Sequence, residues 1–278
     1  MVGASHLPLP FPAAMPYSGV PLSQGHLVLH YQPRVNLRNG AVDCVEALVR
    51  WNHPENGLVL PEHFVPRAEE TGDIREIGCW VLDEAIRQAK CWLRAGQPAR
   101  VSVNVSALQF ETSEFVDAIG RALATHALPS GLLEVELTES LVVKDEAFAN
   151  KQFIQLINSG VGLAIDDFGA GYAGVRTLDW MPASVIKIDR SLITAMGHER
   201  SKLAVVSGIN ALARAVGATC VAEGIETHEQ LLALQKIGCH EGQGFLFCSA
   251  VIPEELPWQF VSVCANSRRV TTCREIVS

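Results

Sequence analysis

No stretch of the 278 residues approaches the ~18 uncharged apolar positions a membrane-spanning helix requires. The first residues have no basic segment and are broken by Pro8, Pro10, Pro12 and Pro16, which does not match a secretory signal. Charge of either sign is scarce, at 19% of residues, and positive charge is the scarcer. Lys plus Arg number 22 against 30 Asp plus Glu, a formal net charge of −8, which argues against binding a nucleic-acid polymer. Eight cysteines occur, but none form a pair with the two-residue gap of a zinc or redox motif. Most lie in apolar runs, which reads as reduced, buried thiols in a cytoplasmic protein. What the chain does have is apolar surface to bury: 48% hydrophobic residues exclude disorder over most of its length.

Residues 1–25, with Pro21 the fifth proline, read as a tail, and so do residues 259–278. Residues 26–258 alternate short β-branched runs with longer helical ones. The strand candidates are 27–31, 42–49, 101–105, 132–137, 161–166, 185–188, 219–222 and 242–247, several apolar on both faces as in a buried parallel sheet. Ile74, Ile77, Val81, Ala85, Ala89 and Trp92 form one helical stripe, and Leu203, Val206, Ile209, Ala213 and Val216 another. Residues 150–159 and 228–237 read as helices stopped by Gly160 and Gly238. Eight strands with intervening helices predict an α/β fold, a TIM-like (β/α)₈ barrel, with a doubly wound sheet as the alternative.

In such a barrel the chemistry sits at the C-terminal strand ends. Those ends carry Glu46, Asn104, Glu136 with Glu139 beyond it, Asp166 and Asp167, Lys187 and Asp189, Glu223 with Glu226 beyond it, and Gln243. Each alone has an ordinary explanation: a solvent-facing acid, a turn cap, a surface ion pair. Five carboxylates converging on one mouth do not, because like charges at close range raise one another's pKa unless cations neutralise them. Only Lys187 and Arg50 are placed to help. Oxygen donors without His or Cys suit hard divalent ions such as Mg²⁺ or Mn²⁺, and the charge count favours two.

The sequence resembles the EAL domain family of cyclic-di-GMP phosphodiesterases, bacterial second-messenger enzymes. The carrying segments run from His30-Tyr31-Gln32-Pro33 to about Pro253: Glu46-Ala47-Leu48 itself, VNVSALQF at 103–110, VELTES at 135–140, IDDFGAGY at 165–172, IKIDRSLI at 186–193, VAEGIET at 221–227 and GCHEGQGFLF at 238–247. The resemblance implies a modified barrel whose first strand is antiparallel, and hydrolysis of cyclic-di-GMP to linear pGpG with two Mg²⁺ or Mn²⁺. By motif, Glu46, Asn104, Glu136 and Asp166 would hold one ion, and Asp166 and Asp167 the other, with the bridging aspartate left open. Glu223 would serve metal or general base, and Lys187 would bind the attacking water. Gln32, Leu48, Arg50 and Asp189 would contact the dinucleotide. Gln243 and Glu226 would support the site, and Glu139 would anchor the loop after the fifth strand. A homodimer is also implied.

Two departures stand out. The family's DFGTGYSSL reads here DFGAGYAGV over 167–175, and Ser249-Ala250 stands where an arginine-proline pair is usual. The altered loop leaves a second reading, a catalytically silent cyclic-di-GMP receptor or interaction module. An unrelated barrel acting on another phosphodiester is a third.

Overall fold

A computed structural model of the chain describes residues 25–139, 145–171, 177–196 and 199–260. Among the described residues nine strands are present: β1 His26–Asn36, β2 Val42–His53, β3 Gly57–Val59, β4 Arg100–Asn104, β5 Leu133–Thr138, β6 Gly162–Phe168, β7 Val185–Ile188, β8 Thr219–Ala222 and β9 Glu241–Gly242. They follow the order β1-β9-β8-β7-β6-β5-β4-β2-β3, and a further β1–β2 pairing closes eight of them into a barrel. β3 only extends β2 outward as a hairpin. From β2 through β4 to β9 the barrel neighbours are parallel, whereas β1 is antiparallel to both β2 and β9. The antiparallel first strand and the EAL-type barrel are as the resemblance implies.

The direction of β1 has a local cause. Only Leu37 to Ala41 joins β1 to β2, too short for the crossover a parallel pair needs. The connection contains Asn39-Gly40, and Gly40 takes φ +73°.

The α-helices among the described residues include α1 Val65–Thr71, α2 Ile74–Arg94, α3 Glu114–His126, α4 Glu146–Asn158, α5 Arg190–Met196, α6 Arg200–Ala215 and α7 His228–Lys236. The α2 stripe is buried as its spacing predicts, and Leu82 and Ile86 widen it. Each such side chain contributes roughly 1.5–3 kcal/mol by leaving water. Asp145 caps α4, accepting the Phe148 N–H at 2.9 Å, and a Thr227/Gln230 capping box starts α7. Gly160 and Gly238 follow the ends of these helices at φ +89° and +74°.

Three expectations need correction. The run 242–247 is not a strand: pairing stops at Gly242, and residue 244 folds back onto Ile225, where a Cβ would lie 2.2 Å from the Ile225 carbonyl oxygen. Val216 lies past the end of α6 and is 50% exposed. Cys44, Cys220, Cys239 and Cys248 are buried, but Cys79 and Cys91 lie on the outer face of α2 and are exposed; all six are free thiols.

Successive strand residues point to opposite faces, so residues two apart share the barrel interior. That interior is layered. At the floor, Arg34 is ion-paired to Glu134 at 2.7 Å and Glu241 at 2.6 Å, and Arg100 reaches Glu134 at 3.0 Å. Above it lies a small apolar belt of Ala164, Val185 and Val221, separate from the main core between sheet and helices. Above the belt is the mouth.

Candidate functional site

Every strand but the outer β3 brings a polar side chain to the mouth, or to the segment just past its end. Lys187, 1% exposed on β7, is the hub. Its Nζ lies 2.5 Å from Glu136 on β5, 2.8 Å from Glu223 after β8, 3.0 Å from Asp166 on β6 and 3.5 Å from Glu46 on β2. Asn104 Nδ2 donates to Glu46 Oε1 at 2.5 Å. Gln243 Nε2 donates to Glu46 Oε2 at 2.7 Å and Gln32 Oε1 at 2.9 Å, and Gln32 in turn donates to the Cys248 carbonyl at 3.0 Å.

Asp166 and Asp167 are adjacent, and in a regular strand one would face away. The β6–β7 register slips between Ile165 and Phe168, and Asp167 sits in the left-handed region at φ +55°. Oxygens of both carboxylates, with one from Glu223, consequently fall within 4.8 Å of one another. A left-handed non-glycine costs on the order of 1 kcal/mol, and strain of this kind concentrates at functional sites.

The electrostatics follow from this crowding. Burial, helped by the charges of Glu46 and Asp166 and resisted by Lys187, pushes Glu136 up to about 8. Burial and then Asp166 push Asp167 up to about 6. Glu223 is raised well above the carboxylate range, again chiefly by burial. Burial opposes the charge on Lys187, but the surrounding carboxylates prevail and hold its ammonium well above the usual lysine range.

Two groups of oxygen ligands emerge: Glu46, Glu136 and Asp166, and Asp166, Asp167 and Glu223. Asp166 belongs to both. Glu136 Oε1 is buried with no hydrogen-bond partner. A buried, unpartnered carboxylate oxygen beside four other acids suits a hard divalent cation.

The remaining expected residues lie around this centre. Glu139 accepts the Gly169 N–H at 2.5 Å, tying it to the segment after β6. Residues 172–176 of the altered loop, on which the dimer expectation bears, lie outside the described residues. Arg50 is partly buried and donates to the Val49 carbonyl at 2.9 Å. Asp189 accepts the Ser191 N–H at 2.9 Å at the start of α5. Gln32 and Leu48 line a cavity of about 250 Å³ over the acids.

That cavity adds two residues the sequence did not single out. Phe245, 62% exposed, stands at its rim, with the Arg190 guanidinium 5.8 Å from the ring centroid. Arg190 also pairs with Glu226 at 2.5 Å. Gly224, at φ +67°, makes this possible, because a Cβ there would lie 2.2 Å from Arg190 Cγ. Arg190 directly follows Asp189 in a quoted motif, so a signal existed; Phe245 was hidden in an apolar run that reads as strand core.

Comparison with known proteins places the chain in a family. The EAL domain family model matches residues 19–250. The bifunctional diguanylate cyclase/cyclic di-GMP phosphodiesterase MucR of Pseudomonas aeruginosa is 45% identical over 236 residues, 84% of this chain and 34% of MucR. The cyclic di-GMP phosphodiesterase PA2567 of the same organism is 39% identical over 231 residues, 83% of this chain and 39% of that protein. The chain thus spans about a third of the length of these curated relatives. Among solved structures, the PaMucR phosphodiesterase in complex with c-di-GMP superposes with a TM-score of 0.79 at 45% identity, covering 83% of this chain and 94% of that one. The EAL enzyme Bd1971 with cAMP and cyclic-di-GMP bound gives 0.78 at 35%, covering 82% and 63%.

Proposed function

The chain belongs to the EAL domain family, and from that premise we propose that residues 26–258 form a phosphodiesterase domain that hydrolyses cyclic-di-GMP to linear pGpG with two Mg²⁺ or Mn²⁺ ions. One observation carries the reading: among the described residues, five carboxylates (Glu46, Glu136, Asp166, Asp167 and Glu223) crowd around the one ammonium of Lys187. The deficit of four charges is what two divalent cations would cancel.

Glu46, Asn104, Glu136 and Asp166 would hold one cation, and Asp166, Asp167 and Glu223 the other. Bound there, the pair supplies an activated water and Lewis-acid stabilisation of charge on the phosphoryl oxygens. The protein's own groups do the rest. Lys187, rigid among its four acids, donates hydrogen bonds that orient the attacking water. Glu223, 2.8 Å from Lys187 Nζ, would accept a proton from that water once ionised beside the bound cations. Gln243 fixes the rotamers of Glu46 and Gln32 through one amide group. Arg50 offers a guanidinium to a phosphate, and Leu48 packs on the dinucleotide. Phe245, backed by Arg190, presents a free ring face to a guanine base; such stacking is worth about 1–3 kcal/mol. Glu139 and Glu226 hold the surrounding segments, and Asp189 caps the helix carrying Arg190. The family loop implies a homodimer. Among the described residues no helix is long and apolar enough to cross a membrane.

The test is turnover by the purified chain with Mg²⁺ or Mn²⁺, following cyclic-di-GMP and pGpG by chromatography. Glu46→Ala should abolish conversion while the circular dichroism spectrum stays unchanged. No turnover under either metal refutes the reading, and nucleotide binding without turnover would replace it with the receptor.

A further inference from the structure

Beyond Ala47, β2 leaves its partner β4 and continues upward paired with β1. On this ribbon Gln32 lies opposite Glu46, His30 opposite Leu48 and Val28 opposite Arg50. Side chains two apart on a strand share a face, and so do directly paired residues. Burial follows the same alternation. Residues 28, 30 and 32 are half-buried, whereas Leu27, Leu29 and Tyr31 are buried, with Tyr31 edge-on to Trp92 of α2. Gln32 and Leu48 line the cavity over the acids. His30, paired with Leu48 and two residues from Gln32, stands on that same face.

The imidazole is held from one side. It donates to the carbonyl of Ala250. The next two residues of β1 grip the same segment: Tyr31 N–H donates to the Val251 carbonyl at 2.7 Å and accepts in return at 3.0 Å, and Gln32 Nε2 donates to the Cys248 carbonyl at 3.0 Å. Two charged groups face His30, Arg50 from β2 and Glu255 from the 3-10 turn Pro253–Glu255. Burial and then the Arg50 guanidinium hold its pKa below the usual histidine value, outweighing the Ala250 carbonyl and Glu255. His30 is therefore a neutral imidazole at pH 7 beside a permanent cation.

An anion docked on Arg50 reverses that balance, because it cancels the repulsion and adds an attraction of its own. Resting on the assignment of a substrate phosphate to Arg50, we propose that His30 is a positioning residue of the dinucleotide site: it anchors residues 248–251 to the ribbon and takes up a proton as the phosphate arrives, so that two cations on one face clamp a phosphodiester. The sign follows from linkage. Binding that takes up a proton strengthens as pH falls, so KM should rise with pH between the titration of His30 in the free protein and its titration in the complex. The imidazole stands apart from the reacting phosphorus, so kcat should not share this dependence.

The test compares wild type with His30→Gln in the Mg²⁺-loaded full chain, measuring KM and kcat for cyclic-di-GMP across pH. Glutamine keeps a donor for the Ala250 carbonyl but cannot gain a proton, and taking the ratio of the two proteins cancels the titration of the acids at the mouth. The KM advantage of wild type should be roughly fivefold at about pH 5.5 and vanish by about pH 8, with equal kcat throughout. Independently of that variant's folding, the His30 imidazole of wild type, followed by NMR, should titrate at higher pH with pGpG bound than without it. A KM ratio that stays flat with pH, or an imidazole titration that pGpG does not move, overturns the role of His30 and leaves hydrolysis standing. Failure to bind either nucleotide overturns both readings.

Discussion

Two rings of ionisable side chains sit inside one barrel, at its floor and at its mouth, and they are built on opposite principles. At the floor, Arg34 and Arg100 meet Glu134 and Glu241, two charges against two. Burial alone would raise Glu134, but the two arginines outweigh it and hold its carboxyl below the usual range. At the mouth, one lysine faces a crowd of acids, and Glu136 is pushed up to about 8. A belt of Ala164, Val185 and Val221 separates the two. The floor is complete as protein and holds the strands together. The mouth has an excess of acids that the proposed cations would offset, and that deficit sets it apart from the balanced floor.

The largest expected effect tests the mouth. Lys187→Met should lower turnover by ~10³-fold or more while the Mn²⁺-loaded protein still folds; steady-state hydrolysis near wild type would contradict the water-orienting role. Next comes the floor. Arg34→Met leaves Glu134 and Glu241 buried without their shared partner and should destabilise by about 3–5 kcal/mol in urea unfolding. The folded fraction should keep its turnover. A loss well under 1 kcal/mol would mean that the floor is not held by its charge balance.

Acidity separates the rings by sign. Glu136, raised from 4.5 to about 8, and Asp167, raised from 3.8 to about 6, bind protons more tightly folded than unfolded. Their contribution is present below their unfolded pKa values and is lost as pH rises through the folded ones. Metal-free protein should therefore lose on the order of 1–3 kcal/mol between pH 5 and 8. Saturating Mn²⁺ should remove or reverse that slope, because the ions need the carboxylates deprotonated. Glu134 has the opposite sign, its contribution being lost as pH falls below about 4.5. Urea midpoints across pH, with and without Mn²⁺, would show both. The smallest effect is expected from Arg100→Ala, whose side chain is 32% exposed and whose loss should cost about 1 kcal/mol.

The mouth was legible in the sequence because its residues come in short motifs at strand ends, where a two-residue period already selects one face. The floor was not. Arg34, Glu134 and Glu241 are far apart in sequence, each looks like an ordinary strand residue, and only closure of the barrel brings them together. The direction of β1 could have been read from the brief Asn39-Gly40 connection, but strand composition alone carries no polarity. The final apolar run, residues 242–247, misleads for a steric reason: hydrophobicity there serves a turn packed on Ile225. Asp167 shows the same limit at the site itself, since alternation would send its carboxylate away from Asp166 and only the bulge brings the two together.

The reversed first strand also fixes where the chain meets its surroundings. His26 pairs with Asn52 on the side of the mouth, while Gln259 bridges Ala41 and Phe260 packs beside Gly40 on the far side. The chain ahead of residue 25 therefore joins the barrel at the rim of the proposed site. The chain behind residue 260 leaves from the opposite pole, the whole height of the barrel away.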